Sequence, residues 1–214
     1  MNIPQLAAIA LTYPDDEILG VRHEFADAVA QLPASPARTA LGRFADWWPD
    51  EDAGWLQRHY VQVFDMSRRT SLDLTYVTHG DRRQRGLALL ALRGRYQVAG
   101  FELTTGELPD HLPTMLEFAG RAEPPQGADL LQEFRPVIEL LGLGLERADT
   151  RYANVVEAVC AWLPDLTAEQ QGEVRRLAAS GPPVEDVGLE PFAPPEVMPA
   201  PIRPTGACSP TPLS

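Results

Sequence analysis

An all-α fold is predicted for this chain of 214 residues, and three features predict it. Apolar residues recur at the 3.6-residue helical period through most of the first 180 positions. Capping boxes and prolines bound those stripes where helices should begin and end. Ten of the 21 prolines fall between Gly181 and Ser214, a stretch with little to bury. The expected organisation is therefore a helical bundle over residues 1–180 and a disordered Pro-rich C-terminal tail over residues 181–214.

The elements follow in order. Thr12-Tyr-Pro-Asp15 reads as a capping box with proline near the first helical position. Ile18, Val21, Phe25, Ala28, Val29 and Leu32 continue it at helical spacing. Leu41, Phe44 and Trp48 mark a second helix, stopped at Pro49, and Leu56, Tyr60 and Val63 mark a third. Ser71 to Thr78 is ambiguous. Leu72, Leu74 and Tyr76 alternate with polar residues, as in a strand. No partner strand is evident, however, and an isolated strand leaves backbone groups unpaired, so helix is preferred. The segment from about Arg82 to Val98 is apolar on more than one face, which predicts a central helix. Leu130, Phe134, Val137, Ile138, Leu141 and Leu145 form a long stripe that Pro136 should kink or split. A last stripe runs from Tyr152 to Leu163 and ends at Pro164. Thr167 and Gln170 form a second capping box.

Composition excludes several chemistries. All 18 basic residues are arginine. Without lysine, neither a P-loop nor a Schiff-base site can be built in its usual form. A net charge of −12 argues against a general nucleic-acid binder. Met1 to Leu11 lacks the basic start of a secretory signal, and no apolar run approaches the length of a membrane span. The two cysteines, Cys160 and Cys208, make no disulfide framework. A cytoplasmic protein without stable membrane insertion is expected. The charge is uneven: Arg58 to Arg95 holds eight arginines and three aspartates, hence +5, which leaves −17 elsewhere. Those arginines either meet a partner or pair with the body's own acids.

No catalytic set stands out. His79, Asp81, Asp110 and His111 are the best material for a metal-dependent hydrolase, but there is no HExxH, no histidine pair at i, i+4 and no Cys-x-x-Cys. Asp81 and Asp110 also read as caps, the latter for a helix starting near His111. No serine sits in a nucleophile elbow, and Gly142-Leu-Gly144 lacks the rest of a dinucleotide loop. No cofactor is expected. A helical body without a catalytic set fits a binding module better than an enzyme, with a partner helix taken into an apolar groove.

Phe64-Asp-Met-Ser-Arg68, then His79-Gly-Asp-Arg-Arg-Gln-Arg-Gly86, then Glu107-Leu-Pro-Asp-His-Leu-Pro113, then Arg135-Pro-Val-Ile-Glu-Leu-Leu141 occur in that order, after a Tyr13-Pro-Asp15 start. Over roughly residues 10–165 the sequence resembles the assembly chaperones of respiratory nitrate reductase, also called its delta subunit, within the wider TorD-like molybdoenzyme chaperones. The resemblance implies an all-helical bundle, and helix at 71–78. It implies no catalysis. The implied partner is the apo catalytic subunit of nitrate reductase, bound through its N-terminal segment until molybdenum cofactor is inserted. Glu107, Asp110 and His111 are implied as the partner-binding element. Asp65, Arg68, His79, Asp81 and Arg85 follow from motifs that can equally be structural. A buried intrachain Asp65–Arg68 pair, favoured over partner contact, is one such structural expectation. Replacing Asp110 and His111 together is expected to weaken partner binding without unfolding the domain.

Overall fold

The computed structural model describes residues 1–79, 83–103 and 106–180. Every described residue belongs to one compact unit. The predicted tail lies outside the described residues.

The chain begins with a helix that the sequence reading missed. Asn2 and Gln5 form a reciprocal capping box, and α1 (Ile3–Leu11) follows with proline in its first turn. Ile3, Leu6, Ala7, Ala8, Ala10 and Leu11 are all buried. Its alanines allow close approach, and α1 packs on both α8 (Leu112–Arg121) and α11 (Tyr152–Trp162). An apolar run too short for a membrane span is here a core helix.

The expected cap at Thr12 moves by three residues. Thr12 closes α1, its hydroxyl donating to Ala8 O at 2.8 Å, while the Asp15 carboxylate accepts from Ile18 N at 2.9 Å and opens α2 (Asp16–Gly20). Asp15 is the better acceptor for the positive end of the helix. The stripe from Ile18 to Leu32 breaks at Val21, and α3 (Arg22–Ala30) carries its second half. Ser35 caps α4 (Pro36–Ala45), and Trp48–Asp50 form a 3₁₀ turn containing Pro49. Asp52 caps α5 (Ala53–Tyr60), which runs into one π-helical turn, Val61–Asp65.

Residues 71–78 satisfy both readings. Asp73 forms an isolated antiparallel bridge with His111, and the chain then turns into α6 (Leu74–His79). Next, α7 (Arg83–Val98) contradicts its predicted central place: only Leu92 and Tyr96 are buried, while Leu87, Leu90 and Val98 are 65%, 66% and 91% exposed. The core position is taken by α1 instead.

Pro136 splits its stripe as expected, giving α9 (Gln126–Glu133) and α10 (Arg135–Arg147) on either side of Phe134. Gly127 lets α8 and α9 pack tightly, since a Cβ there would overlap the Ala119 backbone. After α11, Thr167 and Gln170 form the predicted box at the start of α12 (Ala168–Ser180). Among the described residues no strand forms beyond the single bridge. The core centres on Phe25, Phe44, Trp48 and Tyr152, whose rings contact edge-on or tilted. Truncating such an aromatic to alanine costs about 3–5 kcal/mol.

Candidate partner-binding site

The bridge at Asp73 and His111 organises the motif residues. Leu74 N donates to Asp110 O at 3.1 Å, and Leu112 N donates to Leu72 O at 2.9 Å. The alternation in the sequence has this cause: Leu72 and Leu74 turn into the core, and Asp73 between them faces the motif.

Asp110 is fully buried. Its Oδ2 accepts from Thr75 N at 3.1 Å and from the Thr75 hydroxyl at 2.5 Å. With Asp110 O, it satisfies two first-turn N–H groups of α6 from 35 residues away. Asp110 therefore caps α6 and not α8, correcting the expectation of a local cap. The N-cap of α8 is His111, whose side chain makes no capping bond to that helix, and Pro113 has no N–H to satisfy. The other oxygen, Oδ1, is buried without a partner among the described residues.

Arg85 reaches in from α7. Its Nη2 lies 3.1 Å from Asp73 Oδ2 and 3.4 Å from Asp110 Oδ2, and its Nε donates to the Thr75 hydroxyl at 3.3 Å. The guanidinium also stands 5.5 Å from the Tyr76 ring centroid. His111 Nδ1 shares a 3.0 Å hydrogen bond with Asp73 Oδ1. That bond, helped by the charges of His111 and Arg85, holds the Asp73 carboxyl below its ordinary range although burial pushes it upward. Asp73 and Thr75, which the sequence reading did not single out, are thus the hub joining Asp110, His111 and Arg85. The period-2 pattern was the signal pointing at them.

Glu107 stands apart from this hub and is exposed. Its Oε2 accepts from the Thr114 hydroxyl at 3.2 Å. It lines two adjoining clefts that also share Thr114, Glu117 and Arg121. The first, about 210 Å³, is floored by Ala8, Ile9 and Pro113, from α1 and α8. The second is floored by Tyr96, Phe101, Leu103 and Phe118 and adds Glu102 to the rim. Arg121 is already held by Glu117 at 2.8 Å. The rim is therefore acidic on balance.

The remaining candidates are scattered. His79 ends α6 half-buried, and Asp81 lies outside the described residues. Asp65 and Arg68 are exposed and form no ion pair with each other, so the expected buried pair is corrected. Solvated charges gain little by pairing. Among the described residues, which exclude Asp81 of the hydrolase set, no group of three or more His, Cys, Asp or Glu side chains is placed to hold a metal ion. Burial of Asp110 argues against the expectation that its removal leaves the fold intact. No helix among the described residues is long and apolar enough to cross a membrane.

The sequence pattern of the nitrate reductase delta subunit family matches residues 30–166, which spans the motif segments, the hub and Glu107. The chain belongs to the nitrate reductase delta subunit family. A probable nitrate reductase molybdenum cofactor assembly chaperone of Bacillus subtilis is 31% identical over 163 residues, covering 76% of this chain and 89% of that protein. The nitrate reductase molybdenum cofactor assembly chaperone of Escherichia coli is 35% identical over 146 residues, covering 67% of this chain and 61% of that protein. A nitrate reductase-like protein of Mycobacterium tuberculosis is 36% identical over 170 residues, 79% of this chain but only 25% of that protein. These Bacillus subtilis and Escherichia coli relatives are named as a probable assembly chaperone and an assembly chaperone, and the expectation of a non-catalytic helical protein agrees with the family.

Proposed function

We propose that this chain is the assembly chaperone of a respiratory nitrate reductase. It acts in the cytoplasm, holding the apo catalytic subunit through its N-terminal segment until molybdenum cofactor is inserted. Family membership supports the chaperone reading. The observation that carries the contact is Glu107 at the junction of two apolar clefts with an acidic rim. An amphipathic client segment fits there: its apolar side chains enter the clefts, and its basic residues meet Glu107, Glu102 and Glu117.

The other motif residues divide by role. Asp110 is buried and acts by position: with Thr75 and Arg85 it anchors the turn that presents Glu107. His111, about one-third exposed, stays within reach of the client at the edge of that turn. Asp65, Arg68, His79 and Asp81 are assigned no client contact.

Calorimetric titration with a peptide from the catalytic subunit's N-terminus tests this. Saturable binding is expected, weakened at least tenfold by Glu107→Lys with Glu117→Lys, with helical content unchanged. Absence of binding by the folded chain, or full affinity in the double variant, overturns the assignment.

A further inference from the structure

The arginines of the basic segment divide. Arg85 pairs with Asp73 and Asp110, and Arg95 makes a two-point contact with Glu133 at 2.6 and 2.7 Å. Arg68 and Arg69, on a 3₁₀ turn (Arg68–Thr70), pair with no carboxylate among the described residues. Nor does Arg147, at the end of α10. These three arginines line one cleft, between that turn, α6, α10 and α12.

From this arrangement we infer that the cleft is a binding site for a small phosphorylated organic molecule. Its floor is apolar, including Val77, Leu140 and Leu143, and it encloses about 290 Å³. That volume suits the small end of small-molecule sites, about 300 Å³ upward. The guanidinium forks match phosphate oxygens two at a time, and the floor takes the apolar or planar body. Three like charges gathered with no carboxylate paired to them among the described residues repel one another, and a polyanion seated among them turns that repulsion into attraction.

The backbone is built to bring the arginines together. A Cβ on Gly144 would stand 3.0 Å from Arg69 O and 3.2 Å from Thr70 Cγ2. Glycine there lets α10 approach the 3₁₀ turn closely. Arg147, three residues further along α10, therefore shares the cleft with Arg68 and Arg69.

Isothermal titration of the full chain with ATP as probe, beside adenosine and tripolyphosphate, tests the inference. Saturable binding of ATP is expected, with adenosine giving none and tripolyphosphate binding more weakly. Arg69→Gln and Arg147→Gln should each weaken ATP binding about tenfold, the value of one charge-assisted hydrogen bond. Leu143→Glu, at a position 39% exposed, should also weaken it without unfolding the chain. Lack of saturable ATP binding, unchanged affinity in the arginine variants, or equal affinity for tripolyphosphate would each overturn it. The cleft shares no lining residue with the Glu107 clefts. The arginine variants should therefore retain client-peptide binding, and failure of one assignment leaves the other standing.

Discussion

Asp110→Ala should destabilise the domain. The substitution removes the acceptor for two buried donors, Thr75 N and the Thr75 hydroxyl. Each donor left unsatisfied costs about 1–3 kcal/mol. It also removes one of two carboxylates facing Arg85, whose side chain is only 15% exposed. Losing the only partner of a buried ion costs about 3–5 kcal/mol, but Asp73 remains 3.1 Å away, so only part of that penalty applies. The two donors alone give about 2–6 kcal/mol and the weakened ion pair adds to this, so a loss of at least about 3 kcal/mol follows, with the lost cap of α6 counted within the Thr75 N contribution. For a folded body of this size each kcal/mol lowers the melting temperature by about 2–4 °C, so a drop of about 10 °C is expected. Asp110→Asn keeps an oxygen for Thr75 and should lose about half as much. Thermal melting of the full chain by circular dichroism reads both. If Asp110→Ala melts within about 2 °C of the parent, the hub does not hold α6 to α8 and the reasoning fails.

Three further outcomes follow from the same geometry. Asp73 has its folded-state carboxyl below the ordinary range, so its stabilisation is full above about pH 4 and is lost as the pH falls through the lower folded-state value. Urea midpoints at about pH 5 and about pH 3 should therefore fall less in Asp73→Asn than in the parent, and an unchanged acid loss would contradict this. Gly127→Ala forces a Cβ into the Ala119 backbone and should cost about 1–3 kcal/mol or more, read as a lower denaturation midpoint; a neutral result would mean α8 and α9 are not packed as described. Leu87→Gln with Leu90→Gln, both at exposed positions of α7, should leave the melting temperature within about 2 °C; a large drop would restore the central place predicted for that helix.

Helix type and most helix ends were legible because period and caps are local signals. The Thr167–Gln170 box and the split at Pro136 needed nothing beyond their neighbours in sequence. What failed was global. The two apolar faces of α7 resemble a buried helix, but which helix is central depends on which competitor packs best, and the alanine-rich α1 packs better. Asp110 likewise looked like a local cap because caps usually lie beside their helix. Its true partner, Thr75, is 35 residues away and is found only once the bridge between Asp73 and His111 exists. The net charge of −12 was also too coarse, since it concealed arginines that pair internally and arginines that rim a cleft.

The central claim is that the chain attends immature nitrate reductase and leaves the finished enzyme. Affinity purification of the tagged full chain, from cells that make molybdenum cofactor and from cells that cannot, measures this directly. The account predicts the catalytic subunit bound at high occupancy in cofactor-deficient cells, its loss with Glu107→Lys and Glu117→Lys, and no chain in the mature membrane enzyme. Equal recovery with mature and immature enzyme would contradict it and make the chain a constitutive subunit.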